Sequence, residues 1–284
     1  MGWLGELNLQ YRREGERTVA LDRHHGPLRV LQRLYPEGDA VCHHVLVHPP
    51  GGVVGGDVLA VQADLASGTH ALITTPGATR FYRSNGPAAV QRIHARVADG
   101  ARLEWLPLEA IAYDGCVAEN RLHFDLAPGA EMMGWDMLAL GLPAAGAHWR
   151  HGSYLQSLTL PGLWLEHAQI RADDHRLLDS PLGWAGRRVL GTLWFAAGTA
   201  LPGARAAALL ESVRELIEAD AAPGEAGATA SLQAGATATH EAVVVLRVLA
   251  ARVEPAMQLL VQAWSRWRMQ AWGLPACAPR VWRT

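Results

Sequence analysis

The chain has 284 residues, half of them hydrophobic and 18% charged, with 25 Lys and Arg against 27 Asp and Glu for a formal net charge of −2. That much apolar material builds a sizeable core and excludes a disordered chain, and the balanced charge excludes the basic footprint of a nucleic-acid binder. No stretch approaches the roughly 18 apolar residues of a membrane span, the opening residues read neither as a signal peptide nor as a myristoylation site, and the three scattered cysteines, Cys42, Cys116 and Cys277, form no CxxC pair, so a reduced, cytoplasmic protein is expected.

Along the chain, residues 6–11 alternate polar and apolar, as do residues 58–65 in part and 90–97. Period-two alternation turns one face of a strand inward and the other toward water. Turn signals recur at Glu14-Gly15, Ser67-Gly68, Asp99-Gly100, Asp114-Gly115, Pro128-Gly129 and Pro161-Gly162, which predicts a mainly β body of many short strands. The turns at Ser67-Gly68, Asp99-Gly100 and Pro128-Gly129 lie about thirty residues apart, and each precedes an apolar strand. That spacing predicts stacked repeating units, a β-superhelical, stacked-sheet body. The character changes in the last third. Residues 203–220 carry Leu209, Leu210, Val213, Leu216 and Ile217 on one helical face, and residues 221–227 break that helix. Residues 240–250 read as a buried, Val-rich strand, and residues 254–272 as a second helix stopped by Gly273 and Pro275. No linker divides the chain, so one domain over 1–284 is expected, mostly β over 1–200, with two α-helices and a strand over 201–284. The stripe on the second helix includes Met257, Trp264 and Trp267. It reads as core packing or, since Trp is also favoured at interfaces, as a docking face.

The most unusual segment is His48-Pro49-Pro50-Gly51-Gly52-Val53-Val54-Gly55-Gly56-Asp57. The pairs Gly51-Gly52 and Gly55-Gly56 admit positive φ and close approach, and the two prolines remove donors. No Gly-Lys-Ser/Thr follows and the glycine spacing is wrong for a dinucleotide, so neither phosphate motif applies. What remains is a backbone-lined loop opened by His48 and closed by Asp57, a residue that by itself reads as a cap for local N–H groups. The following stretch mixes small residues with Arg80, Phe81, Tyr82 and Arg83. Aromatic-plus-arginine clusters are common at interfaces, which makes Arg80, Tyr82, Arg83, Trp264 and Trp267 candidate partner contacts. Thirteen histidines invite a metal reading, but His24-His25 and His43-His44 are strand neighbours that point to opposite faces and cannot chelate jointly. No GxSxG, HExxH or cysteine-nucleophile context supports an enzyme.

The ordered set Tyr35-Pro36-Glu37, the His48–Asp57 loop, Thr75-Pro76-Gly77-Ala78-Thr79-Arg80-Phe81-Tyr82-Arg83-Ser84 and Glu104-Trp105-Leu106-Pro107 resembles the urease accessory protein D family, called H in some organisms. Gly26-Pro27-Leu28-Arg29-Val30 and Pro279-Arg280-Val281-Trp282 extend the resemblance over essentially the whole chain. It departs at Arg80, where Lys is usual, at Leu142, where Arg is usual, and before Tyr35, where Phe is usual. The resemblance implies a β-rich superhelical fold with two helices and no turnover. It implies a scaffold bridging apo-urease and the accessory protein UreF, which holds the nickel-loading GTPase UreG. It further implies that Ni2+ crosses an internal tunnel, with Asp57 and Glu166, in Trp164-Leu165-Glu166-His167, matching carboxylates along that route; His48, at the loop's start, is a third candidate. No cofactor is then held permanently, and Ni2+ is only in transit. Nickel(II) accepts imidazole, carboxylate and carbonyl ligands, and passage needs sites weak enough to leave. The alternative is a stand-alone nickel-binding or storage protein, for which closed Cys/His spacing would be needed.

Overall fold

The computed structural model describes residues 2–142, 145–221 and 232–283. In chain order the strands of the first half are β1 (Leu4–Glu14), β2 (Arg17–His25), β3 (Arg29–Leu34), β4 (Val41–Val47), β5 (Val58–Leu65), β6 (His70–Thr74), β7 (Thr79–Phe81), β8 (Ala89–Val97), β9 (Arg102–Trp105), β10 (Ala110–Ala112), β11 (Cys116–Leu126) and β12 (Glu131–Leu140). There follow β13 (Gly152–Leu160), β14 (Trp164–Arg171), the short helix α1 (His175–Leu178), β15 (Val189–Ala197), helix α2 (Gly203–Ala221), β16 (Leu232–His240), β17 (Val243–Ala250) and helix α3 (Val253–Trp272). Sheet A has seven strands in the order β14-β13-β11-β8-β5-β1-β2. Sheet B has ten, along the path β16-β17-β15-β12-β9-β6-β4-β3, with β7 and β10 attached beside β12.

The thirty-residue period is the rung of this architecture. Each rung runs from a strand of sheet A through a glycine corner to a strand of sheet B: β5 to β6, β8 to β9, β11 to β12. The strands of successive rungs pair in parallel, β5 with β8 with β11 and β6 with β9 with β12. The corners Gly68, Gly100 and Gly129 have φ of +69°, +67° and +79°, a left-handed conformation that a Cβ disfavours. They stack, with the Gly68 N–H donating to the Asp99 carbonyl and the Gly100 N–H to the Gly129 carbonyl, both at 3.3 Å.

Alternation sorts the side chains into two cores. Leu9, Val61, Ile93, Leu122, Phe124 and Met132 fill the space between the sheets. The other face of sheet B, with Trp135, Phe195 and Leu246, packs against Leu209 and Val213 of α2 and Leu260, Trp264 and Trp267 of α3. Sheet B is therefore covered on both sides, which is why β17 reads as a nearly unbroken apolar run. Both long helices fall where the 3.6-residue stripes predict, and α3 stops at Gly273, whose φ is +65°. Residues 222–227, the expected helix breaker, lie outside the described residues. Helix α1 and the half-exposed edge strand β16 have no counterpart in the sequence reading.

The docking role expected for Trp264 and Trp267 is corrected here. Both are fully buried. The Trp264 indole N–H donates to Glu104 Oε2 at 2.6 Å, and that of Trp267 to the Leu209 carbonyl at 2.9 Å. Trp264 also meets Trp135 and Trp282 edge to face, the latter brought back over sheet B by a closing 3-10 turn (Arg280–Arg283). The stripe is core because sheet B presents a second apolar face that α2, α3 and the closing turn cover.

Charge also locks α3. Arg268 is fully buried and donates to Glu104 (3.2 Å) and Glu37 (2.8 Å). Glu104 further accepts from His70 Nε2 at 2.7 Å, and Glu37 from His43 Nε2 at 2.6 Å. Burial opposes the charge on Glu104, yet the His70 bond and the Arg268 guanidinium hold its carboxyl below the usual range.

Candidate functional site

The Gly-rich loop is sewn to the Arg80 segment. Val53 N–H donates to the Arg80 carbonyl at 2.7 Å, and Tyr82 N–H to the Val53 carbonyl at 2.9 Å. The missing side chains are what permit this. A Cβ on Gly52 would lie 2.1 Å from the Tyr82 ring, and one on Gly55 would lie 2.1 Å from Ser84 Oγ and 2.7 Å from the Pro87 carbonyl oxygen. Gly51 and Gly56 take φ of +77° and +93°. Arg80 and Arg83 are exposed, and Arg83 lies 3.7 Å from Asp114. Tyr82 is half-buried against Tyr113, with ring centroids 5.0 Å apart.

Behind the loop lies a cavity of about 270 Å³, lined in part by His48, Gly52, Arg80, Gln91, Trp105 and Pro107. His48 is held below its ordinary pKa by burial, partly offset by the charge of Asp57. Asp57 stands at the closing end of the loop. Its carboxylate accepts the Trp3 N–H at 2.8 Å and the Val54 N–H at 3.1 Å, so it caps the loop and ties down the first strand, and it does not line the cavity. This is the capping role that the residue alone suggests.

From Gln91 a chain of polar side chains crosses the otherwise apolar space between the sheets. Gln91 Nε2 donates to Asn120 Oδ1 at 3.0 Å, and Asn120 Nδ2 donates to Asp136 Oδ1 at 2.8 Å and to Gln156 Oε1 at 3.2 Å. Asp136, Gln156, Thr192 and Glu166 then border a void of about 20 Å³, room for roughly one water. Glu166 forms an ion pair with Arg247 and also borders an outer cleft of about 450 Å³. Strand parity explains the placement. Met132, Asp136 and Leu138 turn toward sheet A, while Trp135 and Met137 turn toward the helices. In β14, Trp164, Glu166 and Ala168 turn inward and Leu165 is exposed. Glu166 is thus an inward carboxylate.

Asp136 is the residue that the sequence analysis passed over. Burial between the sheets pushes its carboxyl up to about 7, the nearby Glu166 charge adds to this, and the Asn120 bond only partly opposes it. The signal available in the sequence is one carboxylate at an inward position of the apolar strand β12. Carboxyls so strongly shifted are concentrated at functional sites. Asn120, Gln156 and Thr192 carried no sequence signal, because isolated amides and hydroxyls in strands are ordinary.

The His43-His44 pair and two of the cysteines are occupied locally. His43 bonds Glu37, and His44 Nδ1 meets the Tyr11 hydroxyl at 2.7 Å on the opposite face, as strand alternation predicts. Cys42 and Cys116 are buried thiols pushed up to about 11 by burial. No helix among the described residues is long and apolar enough to cross a membrane.

The family model described as "UreD urease accessory protein" matches residues 4–283. The chain belongs to the UreD family. Among the relatives of this UreD chain, the urease accessory protein UreD of Leptothrix cholodnii is 64% identical over 286 residues, covering all of both chains. That of Variovorax paradoxus is 56% identical over 284 residues, and that of Methylibium petroleiphilum 55% over 303, again covering both chains completely. The resemblance read from the loop motifs therefore holds along the whole molecule. The family is one of accessory proteins in urease maturation, and an accessory role implies contact with other urease components.

Proposed function

We propose that this UreD chain is a non-catalytic, cytoplasmic scaffold that bridges apo-urease and the UreF–UreG complex and passes Ni2+ through its interior. The observation that carries the reading is the polar relay from Gln91 through Asn120, Asp136 and Gln156 to Glu166, running between a cavity at the Gly-rich loop and a cleft on the far side. A buried carboxyl in an apolar core is costly unless it is used or paired. A carboxyl titrating near 7 offers a divalent ion a ligand that protons compete for, which keeps contact brief. Glu166, paired with Arg247, gives a second carboxylate at the outer end. Each relay member already has a protein partner, so none forms a closed cage, and transit fits this better than storage. Arg80, Tyr82 and Arg83 beside the loop mouth are the surface offered to a partner.

The test is co-production of urease with UreF, UreG and Asp136→Leu or Glu166→Leu variants of this chain. Urease nickel content is expected to fall several-fold while the variant still co-purifies with all three partners. Full nickel loading would refute the route, and loss of co-purification would make the carboxylates structural.

A further inference from the structure

The outer face of sheet A carries a group of side chains that the interior route does not use. His94 on β8 and His123 on β11 are paired in register on parallel neighbouring strands, and Asp125 lies two residues along β11. Because Ile93, Ala95, Leu122 and Phe124 point into the core between the sheets, alternation sends His94, His123 and Asp125 outward, onto the face opposite Gln91 and Asn120. One carboxylate spans both rings. His94 Nε2 donates to Asp125 Oδ2 at 2.7 Å and His123 Nε2 to Oδ1 at 3.0 Å. The rings stand edge to face with centroids 4.8 Å apart. Among the described residues this is the one set of three such groups whose ligand atoms all lie within 4.8 Å of each other. All three residues are half-buried, and they sit on paired strands in the middle of a sheet, so their spacing is held by the backbone ladder. Two of the arginines beside the group are engaged elsewhere: Arg96, paired in register with Asp125, bonds Asp64 at 3.2 Å, and Arg121 bonds Glu119 at 2.9 Å.

We propose that His94, His123 and Asp125 form an exchangeable surface site for a divalent transition-metal ion of the imidazole-preferring class, such as nickel(II) or zinc(II), separate from the interior route. Two imidazole nitrogens and a carboxylate oxygen are a donor set such ions accept. Three protein ligands leave the remaining positions to water or to a group from another molecule. Binding needs little movement, because the two Nε2 atoms and the carboxylate already converge. On binding, each neutral ring carries its proton on Nδ1 instead of Nε2, and the freed Nε2 lone pair meets the ion where in the free protein its N–H meets Asp125. The geometry suits loading and release rather than burial of the ion.

The experiment is equilibrium dialysis of the full chain against Ni2+ and, separately, Zn2+, with Co2+ substitution followed by visible absorption. The wild type is expected to bind one ion more than His94→Ala or His123→Ala, or to bind that ion at least about 100-fold more tightly, since losing a direct ligand exceeds the roughly 10–100-fold cost of losing an outer partner. The Co2+ bands should vanish in both variants and persist in Asp136→Asn, with unchanged circular dichroism throughout. Equal stoichiometry and affinity in the wild type and the histidine variants would overturn the site. So would loss of the Co2+ bands in Asp136→Asn alone. Neither result bears on urease nickel content in the Asp136→Leu experiment, so the two readings fail independently.

Discussion

Replacing Asp136 by Asn tests the physics of the interior route without a partner protein. The amide keeps an acceptor for Asn120, 2.8 Å away, and removes the ionisation. In the folded chain the carboxyl titrates near 7, and its ordinary value is 3.8. Between those values the native state holds a proton that the unfolded chain has released, so wild-type stability falls as pH rises through this window and is flat above it. At ~1.36 kcal/mol for each tenfold change in proton affinity, the full penalty is about 4 kcal/mol, of which roughly 2–3 kcal/mol develops between pH 5 and pH 8. The assay is guanidinium denaturation of the wild type and Asp136→Asn across that range. The difference between the two proteins cancels the titration of every other group that the substitution leaves alone. Asp136→Asn should be the more stable protein, by an amount that grows with pH and levels off above about 7.5. A difference that does not change with pH would refute the claim that burial holds this carboxyl neutral. Glu166→Gln should move the plateau to lower pH and shrink the total difference, because the Glu166 charge contributes to the upward shift.

Further outcomes follow from the packing. Arg268→Met should destabilise the chain by about 3–5 kcal/mol, because Glu37 and Glu104 are left buried without their cation; adding Glu104→Gln should recover part of that loss, as a double-mutant denaturation cycle would measure. Trp264→Ala should cost about 3–5 kcal/mol by leaving a cavity between sheet B and α3, and a near-neutral effect on the denaturation midpoint would contradict its burial. Gly55→Ala forces Ser84 and the Pro87 carbonyl to move and should cost about 1–3 kcal/mol; Gly77→Ala, whose Cβ meets nothing within 4 Å, should stay within about 0.5 kcal/mol in the same melt. Burial lowers His44 to about 4, so the unfolded chain takes up a proton that the native one refuses as pH falls from about 6.5. His44→Gln should therefore flatten the acid branch of the stability curve by up to about 3 kcal/mol.

Much of the architecture follows from local rules. Alternation marks β5 and β8, the glycines at 68, 100 and 129 mark the corners of the rungs, and apolar stripes mark α2 and α3 to within a residue or two. The loop from His48 to Asp57 is likewise a sequence object, since paired glycines are needed wherever Tyr82 and Ser84 come this close. The edge strand β16 escaped because small and polar residues leave its period faint, and α1 because four residues are too few for a helical stripe.

The sequence by itself determined period, corners and family, because these depend on each residue's own conformational preferences and on neighbours a few positions away. The tertiary structure decided what individual side chains face. It turned Trp264 and Trp267 into core, because sheet B has a second face to cover, and Asp57 into a cap, because strand β1 returns beside the loop. It set Asp136 and Glu166 on one path, because inward faces of the two sheets meet, and His94, His123 and Asp125 on one patch, because parallel rungs bring residues some thirty positions apart into register. Such encounters are a property of strand pairing, which no local pattern of residues encodes.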